Sequence, residues 1–145
     1  DVATALKISP SLITESLERC KKCGLIDASK QKVQKLALQE LLLHGIKYVF
    51  PAIPGGRVRG VPTAHYAPPI KESIVASDND MLVWPYARGA HKGFSVMPLY
   101  KTVPEVVQND NELYQLLSIV DCLRMGKTRE VEIAKEELEK RLAYE

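Results

Sequence analysis

The apolar positions of this chain have a helical spacing at both ends and lose that spacing in the middle. Near the amino end they predict a helix over residues 10–23, which Ser9 can cap and after which Gly24 can adopt the left-handed conformation that ends a helix. Pro10 suits the first turn, where no backbone N–H is needed. A second, leucine-rich helix is predicted over residues 35–44, with burial on more than one side.

The helical spacing returns near the carboxyl end. It predicts a short helix over residues 104–108, a longer one capped by Asn109 or Asp110, and a last one that Thr128 can cap. Arg124, near the end of the longer helix, most simply complements the negative end of the helix dipole. The pattern leaves open whether the last two helices pack on the rest of the chain or form a dimer.

The first 27 residues have the pattern of a helix-turn-helix followed by the first strand of a wing. The positions where the two helices of such a motif bury against each other hold Ala3, Leu6, Ile8, Ile13 and Leu17. Residues 25–27 and 32–33 can pair as a very short hairpin, which would be the wing. The chain begins inside the motif, without the helix that normally precedes it, so we expect a fragment of a longer protein. Residues 9–23 are then the predicted recognition helix.

In the middle of the chain, short aromatic or β-branched runs alternate with prolines. Proline cannot donate to a sheet ladder, so these runs predict short or edge strands, placed near residues 48–50, 65–66, 83–86 and 96–100. The predicted fold class is therefore α+β. The expected divisions are a helix-turn-helix or winged-helix part at 1–47, a proline-rich short-strand region at 48–103 and C-terminal helices at 104–145.

The charged residues are unevenly distributed along the chain. The net charge of +2 argues neither for nor against a nucleic-acid partner. Residues 1–35, however, carry seven basic side chains and four acidic ones. The basic side chains are clustered at the end of the predicted recognition helix and in the following turn. Phosphate contacts favour this placement, although a solvated helix face would look similar. The residues predicted to approach base edges or phosphates here are Ser9, Ser11, Thr14, Glu15, Arg19, Lys21, Lys22 and Lys32.

Two further arginines, Arg57 and Arg59, lie between glycines in the segment GGRVRG and predict a mobile loop. Their guanidinium groups offer bidentate donors to phosphate or carboxylate, and we assign both to the predicted DNA interface. Two alternatives stay open. One is a pocket for an anionic ligand or a protein partner, and the other is a solvent loop in which the arginines pair with Glu40 or Glu72.

The cysteines and candidate nucleophiles favour neither metal nor enzyme chemistry. Cys20 and Cys23 form a CxxC, but Cys122 and the three histidines offer no matching pair of further ligands, so we expect ordinary thiols and no metal. No serine or cysteine has an activating neighbour, so we expect no enzyme and no cofactor. The odd number of cysteines, with no signal peptide and no membrane-spanning run, predicts a cytoplasmic protein.

Two sets of residues carry a resemblance to known families. Ala3, Leu6, Ile8-Ser9, Ile13, Ser16-Leu17 and Gly24-Leu25-Ile26 resemble MarR-type winged helix-turn-helix regulators. Residues 44–52 (HGIKYVFPA), 59–64 (RGVPTA) and 116–126 (LLSIVDCLRMG) resemble a family of small bacterial helix-turn-helix proteins. The resemblance implies a bacterial transcriptional regulator, of a small type paired with a toxin-like nucleotidyltransferase.

The leading interpretation is a sequence-specific DNA-binding transcriptional regulator that reads double-stranded DNA with residues 9–23, as a homodimer and without a membrane partner. The competing interpretation is an antitoxin-like interaction module, whose proline-rich middle and C-terminal helices bind and mask a partner enzyme. A third is a small-molecule sensor, with a pocket lined by Tyr48, Arg57, Tyr66 and Trp84.

Overall fold

A computed structural model describes residues 1–143 of the chain. Within that range the fold is α+β, as predicted, with a three-stranded sheet between helical ends. In chain order the elements are α1 (Val2–Leu6), α2 (Pro10–Lys22), α3 (Lys35–His44), α4 (Ile46–Val49), β1 (Arg57–Pro62), β2 (Leu82–Pro85), β3 (His91–Ser95), α5 (Val103–Val106), α6 (Asn111–Met125) and α7 (Thr128–Ala143).

The first two helices are joined by a tight turn at Lys7, whose φ of 55° is left-handed. Ser9 caps α2, because its hydroxyl oxygen accepts from the backbone N–H of Leu12 at 3.3 Å. After α2, Ile26 and Val33 form a single antiparallel bridge, which is the predicted short hairpin. The chain then enters α3 directly, at the predicted bounds.

The leucines of α3 are less buried than predicted. No side chain of this helix is fully buried, and Leu36 is 83% exposed. The reason is that α3 packs on α4, α6 and α7 along one side, through Leu42 and Leu43, and leaves its other side open. The prediction of burial on more than one side is wrong.

The three short strands close on themselves into a small barrel. β1 runs antiparallel to both β2 and β3, while β2 and β3 pair in parallel. Gly60 lies at the centre, opposite Pro85 on one strand and His91 on the other. A Cβ at Gly60 would collide with the carbonyl of Trp84, so the barrel closes only because this position has no side chain.

Two of the predicted strands are helical. Residues 48–50 fall in and just after α4, because the chain makes one more helical turn beyond Gly45, where Phe50 N–H donates to the Ile46 carbonyl at 2.8 Å. Residues 65–66 belong to a 3₁₀-helix, Ala64–Tyr66, entered through Ala64 with a φ of 57°. Residues 96–100 form no strand, and β3 instead covers His91–Ser95, where no strand is predicted.

Helix α6 lies between two clusters of buried side chains. One of its faces packs against α7, α3 and α4 through Ile119 and Leu123, with Ala134 and Leu138 contributed by α7. Its amino-terminal half packs beside Trp84 in the cluster formed by the barrel and α5. The last two helices therefore pack on the body of the protein. The predicted caps of α6 are present at both of its ends. Asp110 accepts from Leu113 N–H at 3.0 Å, and Gly126 ends the helix.

Between residues 1 and 143 we find no helix that is both long and apolar enough to cross a lipid bilayer.

Candidate functional site

The outward face of α2 carries the polar side chains that the sequence assigns to base recognition. Ser11, Thr14 and Glu15 are all exposed, and no side chain of α2 is fully buried. The Thr14 hydroxyl donates to the Pro10 carbonyl at 3.0 Å, and the Ser9 oxygen accepts from Leu12 N–H. The Ser11 hydroxyl lies 3.4 Å from that of Ser9. All three hydroxyls keep further hydrogen-bonding capacity, and Glu15 is open to a ligand.

The carboxyl end of α2 is basic on several sides. Arg19 donates to the Ser16 hydroxyl at 3.2 Å, and Lys22 is exposed. Glu18 accepts from Lys30 at 2.8 Å and from Lys21 at 3.5 Å. The Lys30 hydrogen bond, with the charges of both lysines, lowers the pKa of Glu18. This pairing offsets the negative charge of Glu18 and part of the positive charge of the two lysines.

The hairpin after α2 is held by Asp27. Its carboxylate accepts from the backbone N–H of Lys32 at 3.0 Å, from the Ser29 hydroxyl at 2.7 Å and from Gln31 N–H at 2.9 Å. These donors, the Lys32 N–H first, lower the pKa of Asp27. Lys30 occupies the left-handed position of the turn with a φ of 61°. The turn therefore has a fixed shape that presents Lys32 to solvent.

Arg57 and Arg59 do not lie in a mobile loop, and that prediction is wrong. Both belong to β1, whose pairing with β3 includes both residues. Arg57 donates to the Asn79 carbonyl at 3.1 Å and lies over the ring of Phe94, while Arg59 donates to the Gly89 carbonyl at 3.2 Å. The alternative of pairing with Glu40 or Glu72 is not realised. Strand pairing instead brings the segments that carry the Asn79 and Gly89 carbonyls close to both arginines.

A buried polar network, which we did not predict, joins the middle of the chain to α6. The Asp121 side chain is 2% exposed. Its Oδ2 accepts from the Thr63 hydroxyl at 2.6 Å and from Trp84 Nε1 at 2.8 Å, and its Oδ1 accepts from Arg124 at 2.7 Å. Burial raises the pKa of Asp121, and the donors from Thr63, Arg124 and Trp84 oppose that rise.

Arg124 lies in the last turn of α6, where the sequence predicts a basic group, and it is also part of this network. Its Nε donates to the Phe50 carbonyl at 2.8 Å, and its Nη1 also reaches the Met97 carbonyl at 3.2 Å. The three segments that carry the family resemblance thus meet through Phe50, Thr63 and the Asp121–Arg124 pair. The available signal was a charged pair with i, i+3 spacing on an otherwise apolar stretch of helix.

The predicted sensor pocket is not formed. Trp84 is 1% exposed and belongs to the core, whereas Tyr48 is 74% exposed, and the Tyr66 hydroxyl donates to the Ser77 carbonyl at 2.9 Å. A cleft of about 600 Å³ lies elsewhere, between the barrel and the start of α6, where Arg88, His91 and several amide side chains line it. In the part of the chain that the structure describes, no three His, Cys, Asp or Glu side chains converge as a metal site.

Comparison of the chain with protein-family models, with curated proteins and with solved structures found no match. The assignment of function therefore depends on the geometry of the chain itself.

Proposed function

We propose that the chain is a sequence-specific DNA-binding transcriptional regulator with a winged helix-turn-helix part at its amino end. In this proposal α2 enters the major groove and the hairpin closed by Ile26 and Val33 is the wing. The observation that carries it is an exposed polar helix face that ends in a basic cluster, beside a hairpin that presents one more lysine. Such a helix fits the major groove and leaves the basic side chains of its carboxyl end near the phosphates.

The side chains divide by chemistry into two groups. Ser11 and Glu15 are open to base edges, since a hydroxyl can pair with several bases and a carboxylate accepts from the cytosine amino group. Ser9 and Thr14 contribute the hydrogen-bonding capacity left by their bonds within the helix. The groups proposed to contact phosphate are Arg19, Lys21, Lys22 and Lys32.

Arg57 and Arg59 are left out of the proposed interface. Their guanidinium groups bind carbonyls of the barrel region, whereas the proposed phosphate contacts belong to α2 and the hairpin. The regulator is proposed to act as a homodimer in the cytoplasm, where two recognition helices would read half-sites separated by about one turn of duplex.

Selection of duplexes from a random pool tests this proposal. The expected result is enrichment of one sequence, which then binds the protein more tightly than unrelated duplex DNA. Glu15→Gln removes a charge on the exposed face of α2 and should change the preferred base at one or two positions, each base change costing about 1–3 kcal/mol of discrimination. Glu132→Gln, on α7, is the matched control and should leave the preference unchanged. A pool without enrichment contradicts sequence-specific binding.

A second candidate, the antitoxin-like interaction module, is favoured by one specific observation. Tyr48, Val49, Phe50, Ile53 and Met97 are large apolar side chains that are more than half exposed, and Ile53 reaches 87%. Because Arg124 binds the carbonyls of both Phe50 and Met97, the two ends of this set lie close together. We call these five residues the apolar patch. Patches of this kind often mark protein interaction sites.

Surface substitutions test this second candidate better than truncation after Tyr100, which would remove Asp121 and Arg124 from the core. The paired change Ile53→Ser with Met97→Ser should abolish stoichiometric co-purification of a partner enzyme. Leu36→Ser, which alters an equally exposed leucine on α3, should not. Equal recovery of the partner with all variants contradicts a role for the apolar patch.

A further inference from the structure

Two thiols lie at the carboxyl end of α2, where the helix gives way to the hairpin. Cys20 is partly buried in the last turn, and Cys23 is the exposed residue that caps the helix. The Cys23 thiol lies 3.5 Å from the Cys20 carbonyl, to which it donates, so its sulfur already points back along the helix. Because Cys23 is outside the helix proper, it can move without breaking the helix interior.

We propose that Cys20 and Cys23 are a dithiol–disulfide pair whose oxidation rearranges the connection between α2 and the hairpin. Residues three apart on a helix have Cβ atoms about 5–6 Å apart, whereas a disulfide brings them to about 3.5–4.5 Å. The bond therefore forms only if the last turn of α2 tightens. The resulting strain falls on Cys23 and on the backbone groups that are hydrogen-bonded to the last turn of α2.

The hairpin is bonded to that same turn. The Cys20 carbonyl accepts from Leu25 N–H at 2.8 Å and from Ile26 N–H at 3.4 Å, in addition to the Cys23 thiol. Cys23 N–H in turn donates to the Arg19 carbonyl at 3.0 Å. Oxidation removes the thiol donor and displaces the carbonyl on which Leu25 and Ile26 depend. The strand that carries Ile26 then loses these two backbone hydrogen bonds to α2, while the Lys30–Glu18 pair remains.

The chemistry needs an external disulfide as oxidant. The Cys23 thiolate attacks one sulfur of glutathione disulfide, which breaks that S–S bond, forms a mixed disulfide and releases one glutathione thiolate. The Cys20 thiolate then attacks the Cys23 sulfur and releases the second glutathione. The two cysteines lose two electrons and two protons, and the glutathione disulfide gains them.

The chain contains its own control. Cys122 is fully buried in the core, and burial raises the pKa of its thiol well above the ordinary range. A buried neutral thiol reacts slowly with disulfides because the thiolate is the nucleophile. Oxidation of the folded protein should therefore spare Cys122 and involve only the pair at the end of α2.

The experiment equilibrates the full chain in glutathione buffers of increasing disulfide content and reads its intact mass. The expected product is lighter by two hydrogens and maps to Cys20–Cys23 by peptide analysis. Cys23→Ser should not give this product, and Cys20→Ser should stop at the glutathione adduct. Hydrogen exchange of the oxidised protein should show faster exchange at the amides of Leu25 and Ile26. Absence of the internal disulfide at every buffer ratio, or unchanged exchange at both amides, would overturn the proposal.

The effect on DNA rests on the function proposed above. If α2 and the hairpin bind DNA together, oxidation should weaken binding of a selected duplex about tenfold, a typical size for coupling between two sites. Cys23→Ser should bind equally in reducing and oxidising buffer. A reduced protein that binds no duplex contradicts the proposed function alone, since mass and hydrogen exchange still decide whether the pair forms. A disulfide that forms without changing DNA affinity contradicts the regulatory role.

Discussion

At the scale of single residues, Asp121 has the largest structural role that we find. Its two carboxylate oxygens accept from Thr63, Trp84 and Arg124, which come from three separate segments of the chain. Arg124 extends the link to the main chain at Phe50 and Met97. The desolvation penalty of a buried carboxylate is offset by its hydrogen-bond donors only while all of these donors are present. The network therefore acts as a structural cross-link.

Asp121→Asn keeps the shape of the side chain but removes its charge and turns one acceptor into a donor. Arg124 would then be buried without its counter-ion, so the free energy of unfolding should fall by about 3–5 kcal/mol. Urea denaturation measures this. Asp80→Asn, at an exposed position, is the control and should change stability by less than about 0.5 kcal/mol. Similar midpoints for the two variants contradict the cross-link.

The burial of His65 predicts that the stability of the protein depends on pH. Its side chain is mostly buried, and its Nε2 lies 3.8 Å from Glu130. Burial lowers the pKa of His65 below the ordinary 6.5, although Glu130 opposes this. The unfolded chain therefore binds a proton at higher pH than the folded chain does. The stability contributed by neutral His65 is present above about pH 6.5 and is lost as the pH falls below it.

Urea unfolding between pH 7 and pH 5 tests the sign of this effect, with the wild type and His65→Gln compared at each pH. The wild type should lose more stability than the variant on acidification, by less than about 1.4 kcal/mol per pH unit for one proton. His44→Gln, at an exposed site on α3, should follow the wild type. A wild type that gains stability relative to His65→Gln on acidification contradicts the assigned direction.

At the scale of elements, the sequence predicted helices better than strands. The ends of α2 and α6 are set by Ser9 and Asp110, whose side chains bond to backbone three residues away, so a local pattern is enough. The strands depend on pairing between distant segments and on backbone approaches that only glycine permits. Nothing local to residues 57–60 distinguishes β1 from a mobile loop, so Arg57 and Arg59 were misplaced. The Asp121 network was missed for the same reason, since two of its donors, Thr63 and Trp84, lie far from Asp121 in sequence.

Gly60→Ala tests the closure of the barrel. The added Cβ would collide with the carbonyl of Trp84, which strand pairing holds in place, so the free energy of unfolding should fall by about 1–3 kcal/mol or more. Gly56→Ala is the matched control, because a Cβ there meets nothing within 4 Å. Its stability should stay within about 0.5 kcal/mol of the wild type. Equal stabilities of the two variants, by thermal or urea unfolding, contradict the close approach.

At the scale of the whole molecule, the amino-terminal helices contact the body through a small polar junction. The Thr102 hydroxyl donates to the Leu6 carbonyl at 2.8 Å, and Lys7 pairs with Glu105 at 3.3 Å. The Lys7–Glu105 pair is exposed, so it contributes little to stability. The core of the body, by contrast, joins α6 and α7 to the barrel and to α3. This arrangement leaves the outward face of α2 exposed to a large partner such as duplex DNA.

The most direct test of that central proposal is the salt dependence of duplex binding. Fluorescence anisotropy with a selected duplex gives the slope of log Kd against log salt for the wild type, Lys22→Gln and Lys71→Gln. The two variants remove the same charge from exposed lysines, one at the end of α2 and one in the 3₁₀-helix Ile70–Ser73. The slope should be smaller by about one for Lys22→Gln only, because one phosphate contact is lost. No binding at low salt, or equal slopes for both variants, would contradict it.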